Sequence, residues 1–213
     1  MIIGISGRMG SGKNTVGDII EKLCLTNNGP KFEQKSFAGK LKQIASLLTG
    51  IPVEDFEDQE FKKSYLGAEW GTVQDIPLNS IPPFADMQFN ALMSVRELLQ
   101  KLGTEAIRDG LHPNAWVNAL MCEYKRPKMS EYHPSNWIIT DVRFPNELEA
   151  VEEVKGLTLK VVRPQYETAN FKPQHPSETS LDSAEFDYTI INDSTIDELI
   201  KKVREILEKE KII

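Results

Sequence analysis

The sequence predicts an α/β fold: a parallel sheet covered by helices on both faces. Three observations lead there. Short apolar runs alternate with amphipathic helical patterns along most of the chain, the signature of strands joined by helical crossovers. The first apolar run passes through a glycine-rich turn straight into a helical pattern. The later apolar runs at 137–140, 157–162 and 188–191 have the length of strands rather than helices.

Taken in order, residues 1–6 hold Ile2, Ile3 and Ile5 and read as a buried strand. From Lys13, Val16, Ile19, Ile20 and Leu23 recur at spacings of three and four, which makes a helix. Asn27-Asn28-Gly29-Pro30 ends it. A second strand precedes Phe37. A helix follows with Leu41, Ile44, Ala45 and Leu48 on one face and Gly50 at its end. Residues 51–90 hold Pro52, Pro77, Pro82 and Pro83 among scattered aromatics. A structureless loop of that length is unusual inside a compact domain, so the segment reads as an inserted subdomain, part helical around 54–65. Residues 91–109 form a helix with Val95, Leu98, Leu99, Leu102 and Ala106 as its apolar stripe, and a short helix surrounds 116–122. The run at 137–140 is a strand ending at Asp141. Pro145, Glu147 and Glu149 open the next helix. After the strand at 157–162, the polar, proline-containing stretch 163–182 has the profile of a surface loop or lid. A strand at 188–191 and an amphipathic helix at 196–210 complete the chain. No internal repeat or low-complexity tract occurs.

Composition bounds the function classes. With 213 residues, 40% hydrophobic and 27% charged, the chain is an ordinary globular protein rather than a disordered tail, a collagen or a coiled coil. The expected organisation is one domain over 1–213 with an embedded region. The formal net charge of −7 excludes a broad electrostatic footprint for nucleic acid and leaves room for a local basic pocket. No apolar run approaches the roughly 18 residues of a membrane helix, and residues 1–5 lack the marks of a secretory signal. Cys24 and Cys122 stand at no metal or redox spacing. The expectation is a reduced, cytoplasmic protein with both thiols in the core.

The strongest motif is Gly7-Arg8-Met9-Gly10-Ser11-Gly12-Lys13-Asn14-Thr15. It fits G-x-x-x-x-G-K in the strand–turn–helix setting that a phosphate-binding loop requires. Glycines let backbone N–H groups turn inward around an oxyanion, and the helix that begins there aims its positive end at the same point. Lys13 reaches the β- and γ-phosphates of a nucleotide. Asn14 stands where Ser or Thr commonly holds magnesium, and Thr15 follows. That arrangement points toward nucleoside monophosphate kinases and away from GTPases. The Asn-Lys-x-Asp and Asp-x-x-Gly strings of a GTPase are absent, as is an ABC-type signature. The plainer reading is a glycine-rich turn that binds nothing.

A small-molecule kinase needs a second anion site for its acceptor. Arg96, Gln100, Thr104 and Arg108 recur every four residues beside the apolar stripe of 91–109. They suit a ligand with a phosphate and a hydrogen-bonding base, or they form an ordinary solvated face. Asp141, after a largely apolar strand, is placed to hold a magnesium-bound water or orient the acceptor, or else to cap a turn before Pro145. Arg143 is placed to bridge donor and acceptor phosphates, or it makes a surface ion pair. In 163–182, Arg163, Lys172 and His175 are the candidate lid cations; a closing lid keeps water from the γ-phosphoryl group. The stretch is poor in arginine, so closure rests mainly on Arg163, and His175 reads as a plain loop residue. Trp116 and Trp70 could each stack on a nucleobase or fill core.

Across almost its whole length the chain resembles the deoxynucleoside monophosphate kinases found mainly in tailed bacteriophages. The resemblance lies in 7–15, Phe37-Ala38 with Leu41-Lys42, 50–58, 96–105, Trp116-Val117 and Val162-Arg163-Pro164. His175-Pro176-Ser177-Glu178 and, most distinctively, Thr140-Asp141-Val142-Arg143-Phe144-Pro145-Asn146-Glu147 add to it. It implies a P-loop NTPase three-layer sandwich with a parallel sheet, a mainly helical substrate-binding insertion at about 51–125 and a lid at about 163–182. The implied reaction takes ATP, magnesium and a deoxynucleoside monophosphate to ADP and the diphosphate. The resemblance also associates Arg96, Gln100, Gly103, Thr104, Trp116, Asp141, Arg143 and Glu147 with substrate handling. Asn14, where related sequences carry Asp, leaves open whether it or Thr15 meets the metal.

The expected site then follows. Gly10, Ser11, Gly12, Lys13, Asn14, Thr15 and Arg163 hold ATP, and magnesium lies near Thr15 and Asp141, directly or through water. Arg96, Arg143 and Arg108 hold the acceptor phosphate, while Gln100, Thr104 and Trp116 recognise its nucleoside. Lys13, Arg143 and Asp141 carry catalysis by positioning and charge neutralisation. The partners are small molecules, with neither nucleic acid nor membrane; a homodimer stays open. Rivals are a dephospho-coenzyme A kinase, a ribonucleotide kinase, or a non-catalytic ATP-binding regulator. For a viral protein the compartment is the host cytoplasm.

Overall fold

The computed structural model describes residues 1–67, 70, 92–125, 136–164 and 179–213. These fall into two compact units, Met1–Gly39 with Trp116–Ile213, and Lys40–Ala115.

The first unit is a five-stranded sheet in the order β2-β3-β1-β4-β5, with every pair parallel. The strands are β1 (Ile2–Ser6), β2 (Phe32–Lys35), β3 (Asn136–Val142), β4 (Leu157–Val162) and β5 (Tyr188–Ile191). Side-chain alternation splits their apolar residues between two layers. Ile3, Ile5 and Ile138 pack with Val16, Ile20 and Leu23 of α1 (Lys13–Thr26) and Leu199, Val203 and Leu207 of the C-terminal helix, Ile196–Lys209. Ile2, Trp137 and Ile139 turn to the opposite layer. There they meet Val117, Leu120 and Met121 of the helix Ala115–Lys125 and Leu148, Ala150 and Val151 of the helix Pro145–Glu153. The result is the three-layer sandwich expected from the alternating pattern.

Helix ends follow their sequence signals. Asn27 caps α1 by donating from Nδ2 to Leu23 O at 2.7 Å, and Asn28 takes the left-handed conformation that ends the helix (φ 54°). Thr195 Oγ1 accepts from Glu198 N at 3.4 Å to open the last helix.

The second unit contains most of α2 (Gly39–Thr49), two short 3₁₀ turns (Val53–Glu57 and Phe61–Lys63) and α3 (Val95–Gln100). Its core joins Ala45, Phe56, Leu66, Val95 and Leu98, with Trp70 partly buried against them.

Several expectations change here. The helix read at 91–109 begins at Val95, because Ser94 caps it: Ser94 Oγ accepts from Glu97 N at 3.2 Å, and Glu97 Oε2 accepts from Ser94 N at 2.7 Å. It then passes into a π-helix over Lys101–Asp109. Bonding five residues apart shifts the phase of the apolar stripe, so Ala106 is exposed and Gly103 is buried. The 54–65 stretch is part helical as read, its helical residues lying in the two 3₁₀ turns. On α2 only Ala45 is buried, and Leu48 is exposed. The strand read at 137–140 extends to Val142 and so contains Asp141. Cys24 is buried as expected, but Cys122 is exposed on its helix. Residues 68, 69, 71–91, 126–135 and 165–178 lie outside the described residues. They include much of the inserted region, and Lys172 and His175 of the expected lid. Among the described residues no helix is long and apolar enough to cross a membrane.

Candidate active site

The loop between β1 and α1 has the backbone of an anion cradle. Gly10 and Gly12 have φ of 79° and 101°, values that a side chain rarely tolerates. At Gly7 a Cβ would stand 2.3 Å from Val161 O, so only glycine fits against β4. Gly12 caps α1 without a side-chain hydrogen bond, and the first turn carries no acidic residue. No side chain of the cap or first turn therefore neutralises the positive helix end, which suits a ligand anion. Lys13 is 9% exposed, and its Nζ donates to Arg8 O at 2.8 Å, across the loop. Ser11 is buried and its N–H donates to the same carbonyl at 3.1 Å. Asn14 and Thr15 are exposed on the first turn of α1.

Asp141 owes its position to a bulge. Gly4 and Ser6 of β1 face Ile139 and Val142 of β3, so two steps on one strand match three on the other. The extra residue falls at 140–141 and re-aims the side chain. Asp141 Oδ2 then accepts from Ser36 Oγ at 2.7 Å and Ala38 N at 2.9 Å, and Oδ1 accepts from Phe37 N at 3.0 Å. The carboxylate therefore fixes the turn that follows β2. Its donor set suits a metal ion reached through water, since a direct bond would compete with those amides. Thr15 contributes an exposed hydroxyl. Among the described residues no group of three or more His, Cys, Asp and Glu side chains is placed to hold a metal. An ion brought on the phosphates of its substrate, keeping several waters, fits such a donor set.

Glu147 is 3% exposed. Its Oε2 accepts from Arg143 N at 2.8 Å and Phe144 N at 3.2 Å, so it closes the N-terminus of its helix and sets the turn carrying Arg143. Arg143 lines a cavity of about 350 Å³ with Gly7, Arg8, Lys160, Leu181 and Asp182. Arg8 pairs with Asp182 at 3.0 Å. Lys160 Nζ donates to Leu181 O and Asp182 O, each at 3.1 Å, and lies 5.5 Å from the Phe186 ring centroid. Three cations thus converge beside the phosphate loop at the carboxyl ends of β1, β3 and β4, the rim where ligands of such sheets bind. Arg163 follows β4 on the same rim, and Trp116 is buried on its helix.

Arg96, Gln100, Gly103, Thr104 and Arg108 belong to the Lys40–Ala115 unit. Arg96 Nη2 donates to Gln59 Oε1 at 3.4 Å, and Gly103 packs so closely on Leu41 that a Cβ would lie 2.8 Å from Leu41 Cδ2. Thr104 and Arg108 lie in the π-helix, where a four-residue step no longer repeats the α-helical stripe.

Ser36, Lys160, Asp182 and Asn192 are missed by sequence reasoning. Lys160 carries a signal, as the one charged residue of a largely apolar strand. Asn192 carries another, directly after β5 at the strand end where such sites gather. Ser36 and Asp182 have none, because their partners are over a hundred residues away in sequence.

A parallel sheet, a glycine-rich loop ending in a buried lysine, and converging cations define the phosphate-loop phosphotransferases. The chain belongs to the deoxynucleotide monophosphate kinase family, whose model matches residues 61–203. It is therefore a kinase. The deoxynucleoside-5'-monophosphate kinase of Escherichia phage T5 is 25% identical over 231 aligned residues, covering 90% of this chain and 89% of that protein. A protein of Acanthamoeba polyphaga mimivirus, provisionally described as a deoxynucleotide monophosphate kinase, is 28% identical over 95% of this chain and 94% of its own length. The deoxynucleotide monophosphate kinase of Enterobacteria phage T4 is 30% identical over 54% of this chain and 46% of its own.

Proposed function

We propose that this chain transfers the γ-phosphoryl group of ATP to a deoxynucleoside monophosphate, giving ADP and the diphosphate, and so supplies nucleotides for viral DNA synthesis in the host cytoplasm. The observation that carries the reading is the loop of Gly7, Gly10 and Gly12 closing on the buried Lys13, in a chain of this family. Amides of 10–15 and Lys13 hold the phosphates of ATP, with Lys13 and the Ser11 N–H exchanging the Arg8 carbonyl for phosphate oxygens. Magnesium, when bound, neutralises the β- and γ-phosphates. Thr15 and, through water, Asp141 are the residues to hold it. Arg143, on a turn set by Glu147, and Arg163 neutralise charge as it moves between the phosphates. Arg96, Gln100, Gly103, Thr104 and Arg108, with Trp116, grip the acceptor. Such a transfer needs positioning and charge stabilisation rather than covalent help, and an anionic acceptor needs no strong general base.

The test is a panel of acceptors with ATP, read as ADP formed. Deoxynucleoside monophosphates should support turnover well above ribonucleotides and dephospho-coenzyme A. Equal rates with ribonucleotides, or no ADP formation with any monophosphate, would overturn the assignment.

A further inference from the structure

We infer that Asn192 is a positioning residue for the phosphate loop, and that its carboxamide sets the orientation of the Ser11–Gly12 peptide. The inference rests on reading that loop as the site of the triphosphate donor.

Asn192 Nδ2 donates to Ser11 O at 2.8 Å, across 181 residues of sequence. Only the amide nitrogen can make this bond, because a carbonyl oxygen has no hydrogen to offer another carbonyl. In a planar trans peptide the C=O and N–H point in opposite directions. Holding Ser11 O toward Asn192 therefore turns Gly12 N–H away from it. An anion cradle depends on such N–H groups sharing one direction. A flipped peptide would present an oxygen to a phosphate oxygen instead. Asn192 Nδ2 also comes close to Gly12, where an added Cβ would meet it at 2.6 Å, at a position whose φ of 101° already favours glycine.

The backbone at Asn192 is held by its own hydrogen bond and by bonds to its two neighbours. Its N–H donates to Val162 O at 2.7 Å, which extends the β4–β5 ladder one residue past the Val162–Ile191 pair. On either side of it, Lys202 Nζ donates to Ile191 O at 2.6 Å and to Asp193 Oδ1 at 3.1 Å. The last strand and last helix therefore brace a side chain whose only described hydrogen bond reaches back to the loop of the first strand. A residue needed only to fill space would not require a donor at this point.

The test compares N192A and N192D with the native protein, using as a control K201Q, on the exposed face of the last helix where Lys201 pairs with Glu198. Two quantities are read: affinity for a non-hydrolysable ATP analogue by calorimetry, and KM for ATP and for the acceptor. N192A should weaken analogue binding and raise the ATP KM about tenfold, near the upper end for one lost hydrogen bond. The acceptor KM should stay within twofold, and K201Q should match the native protein. N192D keeps the shape but sets a carboxylate against a carbonyl and close to the phosphates, so its loss should exceed that of N192A. If N192A fails to fold, N192D, matched in size, carries the comparison. Analogue affinity within twofold of native in a folded variant would overturn the inference. So would equal losses in the ATP and acceptor constants. Analogue binding needs no acceptor, so a failure of the deoxynucleotide assignment would leave this result standing.

Discussion

Two side chains at the rim of the sheet separate chemistry from architecture. Lys13 donates to a carbonyl of its own loop, and methionine can replace its stem in the same space. Lys13→Met should lower kcat by about three orders of magnitude or more, given how much phosphoryl transfer relies on charge stabilisation. The melting temperature should stay near that of the native protein, measured by calorimetry beside steady-state rates. Asp141 is different, because its carboxylate accepts from three donors in the 36–38 turn. Asp141→Asn places an amide N–H against at least one of those donors. It should destabilise the protein by about 1–3 kcal/mol, the typical cost of a buried group left unmatched, while also reducing turnover. Unchanged stability in denaturant titration would mean that Asp141 serves the reaction alone. Position picked out Asp141, Arg143 and Lys13 in the sequence, since strand ends and loop spacing are local features. The partners of Asp141 were not legible, because they depend on a one-residue bulge in β3. A bulge leaves no trace in hydrophobic periodicity.

Elements repeat the same division. β4 and β5 match their sequence ranges because short apolar runs buried on a parallel sheet have few alternatives. Amphipathic faces of the inserted region were harder to read, since a moment says which side is apolar and nothing about how far a neighbour covers it. Leu48 and Ala106 are exposed for that reason and because the π-helix shifts phase. The start of α3 is a local matter of Ser94 and Glu97. Hydrogen bonds from the Ser94 backbone and hydroxyl hold the Glu97 carboxyl below the usual range for glutamate. A lowered pKa in the folded state stabilises fully above the ordinary glutamate value of about 4.3, and that contribution is lost as pH falls through the lowered value. Ser94→Ala should therefore cost about 1 kcal/mol at neutral pH. The gap between it and the native protein should narrow below the ordinary glutamate range, followed by urea titration at several pH values. A constant gap down to acid pH would remove Glu97 from the cap.

At the scale of the whole molecule, the chain is interrupted between Gly39 and Trp116 by a separate compact unit. Prolines and scattered aromatics in 51–90 were what pointed sequence reasoning to an insertion. Its bounds were less legible. The unit begins at Lys40 and takes in most of α2, which sequence reasoning had left with the sheet. This division leads to a prediction about where each substrate acts. The donor loop, Asp141, Arg143 and Lys160 are all in the sheet unit, whereas Arg96, Gln100, Thr104 and Arg108 are in the inserted unit. Each ligand stabilises the state that binds it, by about 2.7 kcal/mol at a hundredfold excess over Kd, and amide exchange reports that stabilisation segment by segment. A non-hydrolysable ATP analogue should slow exchange first at 10–16 and 36–38, where the loop and the Asp141-held turn lie. A deoxynucleoside monophosphate should slow it at 95–109, and there the π-helix makes the readout sensitive, because strained bonding opens more easily than an α-helix. Protection by the monophosphate confined to 10–16, with none at 95–109, would remove the inserted unit from acceptor binding. The whole acceptor site would then belong to the sheet unit, around the cations of Arg8, Arg143 and Lys160.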